Sequence, residues 1–144
     1  MQVRDIMTPR VETISPREVV ADAAAKMKNL DVGSLPVCDG NRLLGMITDR
    51  DITVRATSSG VHPHDRRVEE VMTPDVIFCF DDQDVSEAAQ IMEVKQVRRL
   101  PVLNRNMELV GIVALGDVAT RAPDDSFKGE ALQGISEPSE PQNP

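Results

Sequence analysis

The sequence of 144 residues contains no tryptophan, no tyrosine and only three phenylalanines. Its hydrophobic core must therefore be aliphatic, formed by Val, Leu, Ile, Ala and Met, which suits an α/β protein. A chain of this length can bury roughly 70% of its unfolded surface, as one compact domain or two very small ones. The sequence also lacks a signal peptide and any apolar run of the roughly 20 residues that a membrane span needs. We therefore expect a cytoplasmic protein.

Cysteine, histidine and positive charge are scarce as well. Cys38 and Cys79 are too few for a disulfide framework and lie in apolar runs, so buried, reduced thiols are favoured over a redox or metal role. His62 and His64 flank a proline and form an incomplete set of metal ligands, so we predict no metal site. The formal net charge of −8 argues against sequence-independent nucleic-acid binding, because such binding depends on positive charge.

Motifs for catalysis are not visible either. The sequence has no phosphate-binding loop and no dinucleotide-binding glycine fingerprint. A Cys-His-Asp nucleophilic site would need a histidine in a formed pocket, and both histidines lie in a polar connector. We therefore predict no catalytic residues and no enzyme activity.

What the sequence does contain is an internal repeat of roughly 60 residues. Met-Thr-Pro at Met7–Pro9 returns at Met72–Pro74, and Leu-Pro-Val at Leu35 returns at Leu100. At the same offset of 65, identical residues recur as follows: Val3, Val11, Val20, Ala23, Ala24, Met27 and Val32 match Val68, Val76, Val85, Ala88, Ala89, Met92 and Val97. One inserted residue shifts the offset to 66, at which Gly45, Asp51, Arg55 and Ala56 match Gly111, Asp117, Arg121 and Ala122. The chain is therefore two copies of one unit.

Each copy predicts the order strand, helix, strand, strand, helix. In the first copy, "VETI" at 11–14 predicts a short strand, and Ser15 predicts an N-cap, with Pro16 at the first helical position and Glu18 closing a capping box. The apolar face of the helix that follows comprises Val20, Ala23, Met27 and Leu30. "SLPVC" and "LLGMIT" predict a hairpin joined by "DGNR". A second helix is predicted from about Asp49 to Thr57.

In the second copy, "DDQDVSEAAQIMEVKQ" predicts the first helix, opened by aspartates that suit a helix N-terminus. "LPVLN" and "LVGIVA" predict its hairpin. We assign repeat one to residues 1–60, a polar connector to 61–67 and repeat two to 68–122. A unit this small cannot cover its own sheet, so the copies should pack on each other. The acidic, proline-rich tail over 123–144 is expected to be disordered.

These motifs, repeated in order, resemble those of a tandem CBS-domain protein, or Bateman module, of the small stand-alone type. The resemblance covers Val3 to about Ala122. It implies two β-α-β-β-α repeats packed with pseudo-twofold symmetry, two clefts between them and a homodimer of such pairs. It also implies an adenosine-containing ligand in these clefts, AMP, ADP or ATP first, with S-adenosylmethionine and NAD(H) as further candidates.

The segment "ITDRDI" carries the main candidate site. Thr48 ends a strand and Asp51 lies in the first turn of a helix, where free backbone N–H groups also converge. A carboxylate there can accept two hydrogen bonds from a ribose diol, and the hydroxyl and amides suit phosphate oxygens. The resemblance implies these roles. The alternative is that Thr-x-x-Asp is only a capping box that the helix needs for its own stability. Both interpretations are compatible.

The second copy departs from this pattern. Asp117 remains, but Ala114 replaces the threonine. This copy instead carries Arg98 and Arg99 ahead of its strand, where the first copy has Gly33 and Ser34. Guanidinium groups suit phosphate geometry, and the resemblance places basic residues here to meet phosphates. A solvated strand entry, paired with nearby acids, is the alternative.

The remaining predicted ligand-binding residues lie near the first strands. Thr13-Ile14 and Phe78-Cys79 match the positions where the resemblance implies an adenine pocket. Gly33 and the neighbouring Ser34 match a position where the backbone approaches the ligand, which the missing Cβ of glycine permits.

The sequence therefore predicts a non-catalytic ligand sensor that binds an adenosine nucleotide in a cleft between the repeats. No cofactor, nucleic acid or membrane partner is expected, and an unknown protein partner remains open. The alternative function is a structural module with vestigial clefts, which only dimerises or docks on another protein.

Overall fold

The computed structural model describes residues 1–60 and 62–121, with the side chain of Arg121 left out. The helices are α1 (Val20–Leu30), α2 (Asp49–Asp51), which continues as a π-helix (Ile52–Thr57), α3 (Val68–Val71), α4 (Val85–Lys95) and α5 (Leu115–Arg121). The strands are β1 (Thr8–Pro9), β2 (Ser34–Asp39), β3 (Arg42–Thr48), β4 (Cys79–Phe80), β5 (Arg99–Leu103) and β6 (Leu109–Ala114). Single 3₁₀ turns lie at Val3–Asp5 and Pro63–Asp65. The predicted tail over 123–144 lies outside the described residues. None of the helices within those residues is both long enough and apolar enough to cross a membrane.

The described residues form two compact units. We call the segment around each Met-Thr-Pro motif the lead-in of its repeat, residues 1–11 in repeat one and 68–76 in repeat two, and each unit contains the lead-in of the other repeat. The first-repeat unit contains Glu12–Val76, so it includes the lead-in of repeat two. The second-repeat unit contains Met1–Val11 and the described residues from Ile77 onward, so it includes the lead-in of repeat one. The fold is therefore mixed α and β in both units, as predicted, but the lead-ins pack on the repeat to which they do not belong in sequence.

A four-stranded sheet forms the second-repeat unit, in the order β1-β6-β5-β4. The hairpin of β5 and β6 is antiparallel and lies at its centre. β4 joins β5 in parallel, and β1, from the Met-Thr-Pro lead-in, pairs with β6 through Thr8 opposite Ile112 and Pro9 opposite Gly111. The predicted hairpin of the second copy is thus confirmed.

The first-repeat unit has the same strand order, but its edge strands are shorter. The β2–β3 hairpin is the two-stranded sheet, joined by a turn in which Gly40 adopts a φ of +65°. Single-residue bridges replace the two edge strands: Ile14 pairs in parallel with Val37, and Thr73 pairs antiparallel with Met46. The predicted hairpin is confirmed.

The first predicted strand, over residues 11–14, is wrong except at Ile14. The Ile14 N–H donates to the Pro36 carbonyl at 3.0 Å, and its carbonyl accepts from Cys38 at 3.0 Å. In a parallel ladder the next bond toward the N-terminus would need an N–H on Pro36 for the carbonyl of Glu12, and proline has none. Pro101 in the second copy has the same effect on β4, which begins only at Cys79.

The predicted start of the first helix is also wrong. Ser15 and Glu18 do form reciprocal contacts, in which the Ser15 N–H donates to the Glu18 carboxylate at 3.2 Å, but these contacts close a turn. Val19 is held extended by an antiparallel bridge to Arg67, so α1 begins only at Val20. In the second copy the predicted helix also begins later than expected, at Val85 and not at Asp81, and of its opening aspartates Asp84 caps α4.

Each unit has its own hydrophobic cluster of buried aliphatic residues. On α1, Val20, Ala23 and Met27 are buried as predicted, but Leu30 is 40% exposed. Leu30 is the last helical residue, and the chain turns away directly after it through Asp31 in the left-handed region.

The close approach of the lead-ins explains the repeated glycine of Gly45 and Gly111. A Cβ on Gly45 would lie 2.6 Å from the Thr73 carbonyl oxygen, and one on Gly111 would lie 2.8 Å from that of Thr8. Any side chain would push the lead-in off its strand. These glycines therefore serve the fold.

We expect Gly45→Ala to lower the free energy of unfolding by about 1–3 kcal/mol, because the added methyl group overpacks a backbone contact. Urea denaturation followed by circular dichroism measures this change. Gly116→Ala is the matched control, since no heavy atom lies within 4 Å of its added Cβ and alanine favours the α5 helix by about 0.5–1 kcal/mol. Equal stability of the two variants would contradict this role of Gly45.

We expect both thiols to be unreactive in the folded protein. Burial raises the pKa of the Cys38 thiol to about 11, and burial together with the Asp81 carboxylate raises the pKa of Cys79 to about 12. At pH 8 about one thiol in a thousand or fewer is then ionised, and the side chains are only 5% and 1% exposed. Titration with Ellman's reagent should release almost no product at pH 8, and two equivalents in guanidinium chloride. Rapid release of one equivalent from the folded chain would overturn this expectation.

Candidate functional site

The predicted site of repeat one is a complete capping box at the end of β3. Thr48 has extended backbone angles (φ −118°, ψ 163°) and precedes the first helical residue. Its hydroxyl oxygen accepts from the Asp51 N–H at 3.0 Å, and its own N–H donates to Asp51 Oδ2 at 3.0 Å. The capping interpretation is thus realised, and it leaves the Thr48 hydroxyl hydrogen available to a ligand.

Asp51 is the buried charged residue of the site. At 8% exposure, it is the one charged side chain in the buried class over residues 1–60 and 62–120. A buried carboxylate needs partners because desolvation disfavours its charge. Oδ2 has the Thr48 amide, and Oδ1 has the Thr73 hydroxyl at 3.4 Å and the Arg55 guanidinium, whose Nε lies 3.9 Å away. Both oxygens of the carboxylate therefore have polar partners.

Arg55 links this carboxylate to the lead-in of repeat two. It lies in the π-wound part of the helix, and its Nη1 donates to the carbonyls of Val71 and Met72, both at 3.3 Å. These carbonyls lie at the C-terminal end of α3, where a cation is favourable. π-Helical turns are rare and occur frequently at functional sites. The predicted second helix over Asp49–Thr57 is confirmed in extent, with this change of winding.

The structure also brings Gly33 and Ser34 to this helix start. The Gly33 carbonyl accepts from the Asp49 N–H at 3.0 Å, and Ser34 lies opposite Thr48 in the β2–β3 ladder. Four of the predicted site residues, two on each side of the hairpin, therefore lie together in the first-repeat unit.

The second-repeat unit has the same layout with different side chains. The Ala114 N–H donates to Asp117 Oδ2 at 2.9 Å, as Thr48 does to Asp51, but alanine cannot return the second bond of the box. Arg99 lies opposite Ala114 in the ladder, and the Arg98 carbonyl accepts from Leu115 at 2.8 Å. Both arginine side chains are exposed. Asp117 and the two arginines thus lie at one helix start.

The residues predicted to line an adenine pocket differ in exposure. Ile14 and Cys79 are 2% and 1% exposed and pack into the two hydrophobic clusters. Thr13 and Phe78 are half-buried. The Thr13 carbonyl, predicted to read the base edge, accepts from the Lys26 ammonium at 2.5 Å. The roles of all four residues stay predictions.

Two residues of the site were not predicted from the sequence. Thr73 belongs to the repeated Met-Thr-Pro motif, which gives no sign of a contact with a carboxylate 22 positions away. Arg55 recurs in repeat two as Arg121, which indicates a structural role common to both repeats. It also lies four residues after Asp51, the spacing of an ion pair within a helix, and this spacing could have identified it.

The histidines do not form a metal centre with other ligands. His62 Nδ1 accepts from the His64 N–H at 3.1 Å, and the two rings stack with centroids 5.0 Å apart. Within residues 1–60 and 62–121, no three His, Cys, Asp or Glu residues are placed to hold a metal ion together.

The chain resembles several known proteins over most of its length. It is 41% identical over 134 residues to the CBS domain-containing protein YhcV of Bacillus subtilis (strain 168), which covers 93% of this chain and 94% of that protein. It is 36% identical over 125 residues to hypoxic response protein 1 of Mycobacterium tuberculosis, which covers 86% and 87% respectively. A crystal structure of Hypoxic Response Protein I with two coordinated zinc ions matches with a TM-score of 0.76 at 35% identity, over 85% of this chain and all of that chain.

A ligand complex is among the similar structures. The crystal structure of CBSX2 in complex with AMP matches with a TM-score of 0.72 at 29% identity, over 84% of this chain and 95% of that chain. The family model of the CBS domain matches residues 3–56 and again residues 68–124, so both repeats are covered. The chain belongs to the CBS-domain family and is a pair of CBS domains.

Proposed function

We propose that this chain is a non-catalytic regulatory module that binds an adenosine nucleotide, AMP, ADP or ATP, at the helix start of repeat one. The observation that carries the proposal is Asp51, a buried carboxylate in the first helical turn after β3, with polar neighbours at both oxygens. The AMP complex of CBSX2, a similar CBS-domain protein, supports the choice of ligand. S-Adenosylmethionine and NAD(H) are further candidates, because they share the adenosine group.

The chemistry of the site suits a ribose and a phosphate. Carboxylate oxygens can each accept more than one hydrogen bond, so Asp51 can bind the two ribose hydroxyls while it keeps its bond to Thr48. The Thr48 hydroxyl can donate to a further ligand oxygen, since its own oxygen accepts from Asp51. In the second-repeat unit, the exposed Arg98 and Arg99 beside Asp117 are proposed as phosphate-binding residues of that unit's own helix start, because their guanidinium groups match phosphate geometry.

Ligand binding would act on the lead-in of repeat two. A ligand shifts a conformational equilibrium only through contacts that differ between the two states. Asp51 Oδ1 lies next to both Arg55 and Thr73. Arg55 donates to a carbonyl of the lead-in, and Thr73 belongs to the lead-in. A ligand on Asp51 would therefore change the forces on that segment.

A structural interaction module is the second candidate function. The observation that favours it is the incomplete box at Ala114, where the second copy lacks the returning hydroxyl. A homodimer is compatible with both functions. Size-exclusion chromatography with light scattering would measure the mass of the protein with and without nucleotide.

We expect wild-type protein to bind AMP in isothermal titration, and Asp51→Asn to weaken binding about tenfold to a hundredfold, because a hydrogen bond to a charged group contributes roughly 1.5–3 kcal/mol. Asn keeps the shape of the side chain and an oxygen for the Thr48 amide. Asp49→Asn is the matched control, since Asp49 is exposed in the same turn and carries the same charge. ATP, S-adenosylmethionine and NADH titrations define the ligand class.

Three results would contradict the proposal. Wild type could bind none of these compounds, Asp51→Asn could bind as wild type does, or Asp49→Asn could lose as much affinity as Asp51→Asn.

Thr48→Ala separates the capping role from ligand binding. Loss of the cap should lower the free energy of unfolding by about 1 kcal/mol, and loss of the hydroxyl donor should also raise the dissociation constant for AMP. Thr48→Ser should retain both properties. A Thr48→Ala protein that is less stable but binds AMP unchanged would show that Thr48 serves only the helix.

A further inference from the structure

Thr73 provides a contact to Asp51 from outside repeat one. Its hydroxyl lies 3.4 Å from Asp51 Oδ1 and donates to it. This is longer than the roughly 2.5–3.0 Å of most O–H···O hydrogen bonds, so we expect a modest contribution from it. Thr73 belongs by sequence to the lead-in of repeat two, yet it lies in the first-repeat unit.

The backbone of Thr73 is held firmly in place. Its N–H donates to the Met46 carbonyl at 2.8 Å, and its carbonyl accepts from the Met46 N–H at 2.9 Å. Gly45 permits this approach, because a Cβ there would lie 2.6 Å from the Thr73 carbonyl oxygen. The hydroxyl of Thr73 is therefore presented to Asp51 from a fixed strand bridge.

Polar contacts at both oxygens of Asp51, including the Arg55 guanidinium at Oδ1, restrain the plane of its carboxylate. The last side-chain torsion of aspartate is broad when nothing restrains it. Here Oδ2 is bound by the Thr48 amide at 3.0 Å and Oδ1 faces the Thr73 hydroxyl. An acceptor that is oriented before binding loses less conformational freedom on binding, and this increases affinity.

We propose that Thr73 is a positioning residue for the ribose diol: it holds the Asp51 carboxylate in the plane in which both ribose hydroxyls can donate to it. The inference rests on the proposed nucleotide binding at Asp51 and adds a residue that orients the carboxylate for the ribose hydroxyls. It also gives the exchange of lead-ins a function, because repeat two supplies a residue that completes the site of repeat one.

The chain contains its own matched control in Thr8. Thr8 occupies the same motif position in repeat one and pairs with Ile112 of β6. Among the interactions of the described residues, Asp117 accepts only from Ala114, and the Thr8 hydroxyl makes no bond to it. Thr8→Val therefore makes the same chemical change at an equivalent strand position without removing a contact to a carboxylate.

The test compares AMP with 2′,3′-dideoxyadenosine monophosphate, which lacks the diol, by isothermal titration of the full chain. Thr73→Val preserves the branched shape and removes the hydroxyl. We expect its dissociation constant for AMP to rise roughly three- to tenfold, as loss of one hydrogen bond predicts, with the value for the dideoxy compound within about twofold of wild type. Thr73→Ser should restore AMP binding, and Thr8→Val should leave both values unchanged.

The outcomes distinguish this inference from the proposed function. If wild type binds no adenosine nucleotide, both are overturned. If wild type prefers AMP to the dideoxy compound and Asp51→Asn removes that preference, the proposed function stands. The positioning role is then overturned if Thr73→Val weakens both ligands equally, weakens neither, or matches Thr8→Val. Thermal unfolding of each variant, with Thr73→Ser as the folded reference, shows whether a loss of affinity reflects misfolding.

Discussion

The antiparallel bridge between Met46 and Thr73 is the contact on which the site depends. Two backbone hydrogen bonds of 2.9 and 2.8 Å join the lead-in of repeat two to the last strand of repeat one. The bridge forms because Gly45 has no side chain to separate the two backbones. It places the Thr73 hydroxyl against Asp51, and it brings the carbonyls of Val71 and Met72 to Arg55. The same arrangement of glycine and lead-in holds β1 on β6 in the second-repeat unit.

Comparison of the two copies separates what the helix start needs from what a ligand site adds. The bond from a backbone N–H to the aspartate is present in both, at 3.0 Å for Asp51 and 2.9 Å for Asp117. The returning hydroxyl is present only in repeat one, because Ala114 replaces the threonine. A helix can therefore begin here without the full box, and the additional polar groups around Asp51 exceed what capping requires. This difference favours repeat one as the copy at which we propose that a nucleotide binds.

Much of the fold could be predicted from the sequence, because it follows from local patterns. Both hairpins, the second helix of repeat one and the aspartate cap of α4 depend on turn residues, alternation and caps within a few positions. The predictions failed for the edge strand of repeat one and for the start of its first helix. The first strand of repeat one is reduced to Ile14 because Pro36, on the neighbouring strand, lacks the N–H that would extend the ladder. The Ser15 box closes a turn because Val19 is held extended by Arg67, nearly 50 positions away.

The candidate site, too, could be predicted only in part from the sequence. The sequence alone determined the repeat, the CBS-domain family and the position of Thr48 and Asp51 at a helix start, since all three depend on residue identity at short, fixed spacings. Only the tertiary structure decided that each lead-in packs in the compact unit of the other repeat, and that Thr73 and Arg55 lie next to Oδ1 of the buried Asp51. The identical Met-Thr-Pro motifs fit either strand by sequence, so backbone hydrogen bonds between distant segments determine which strand each one joins.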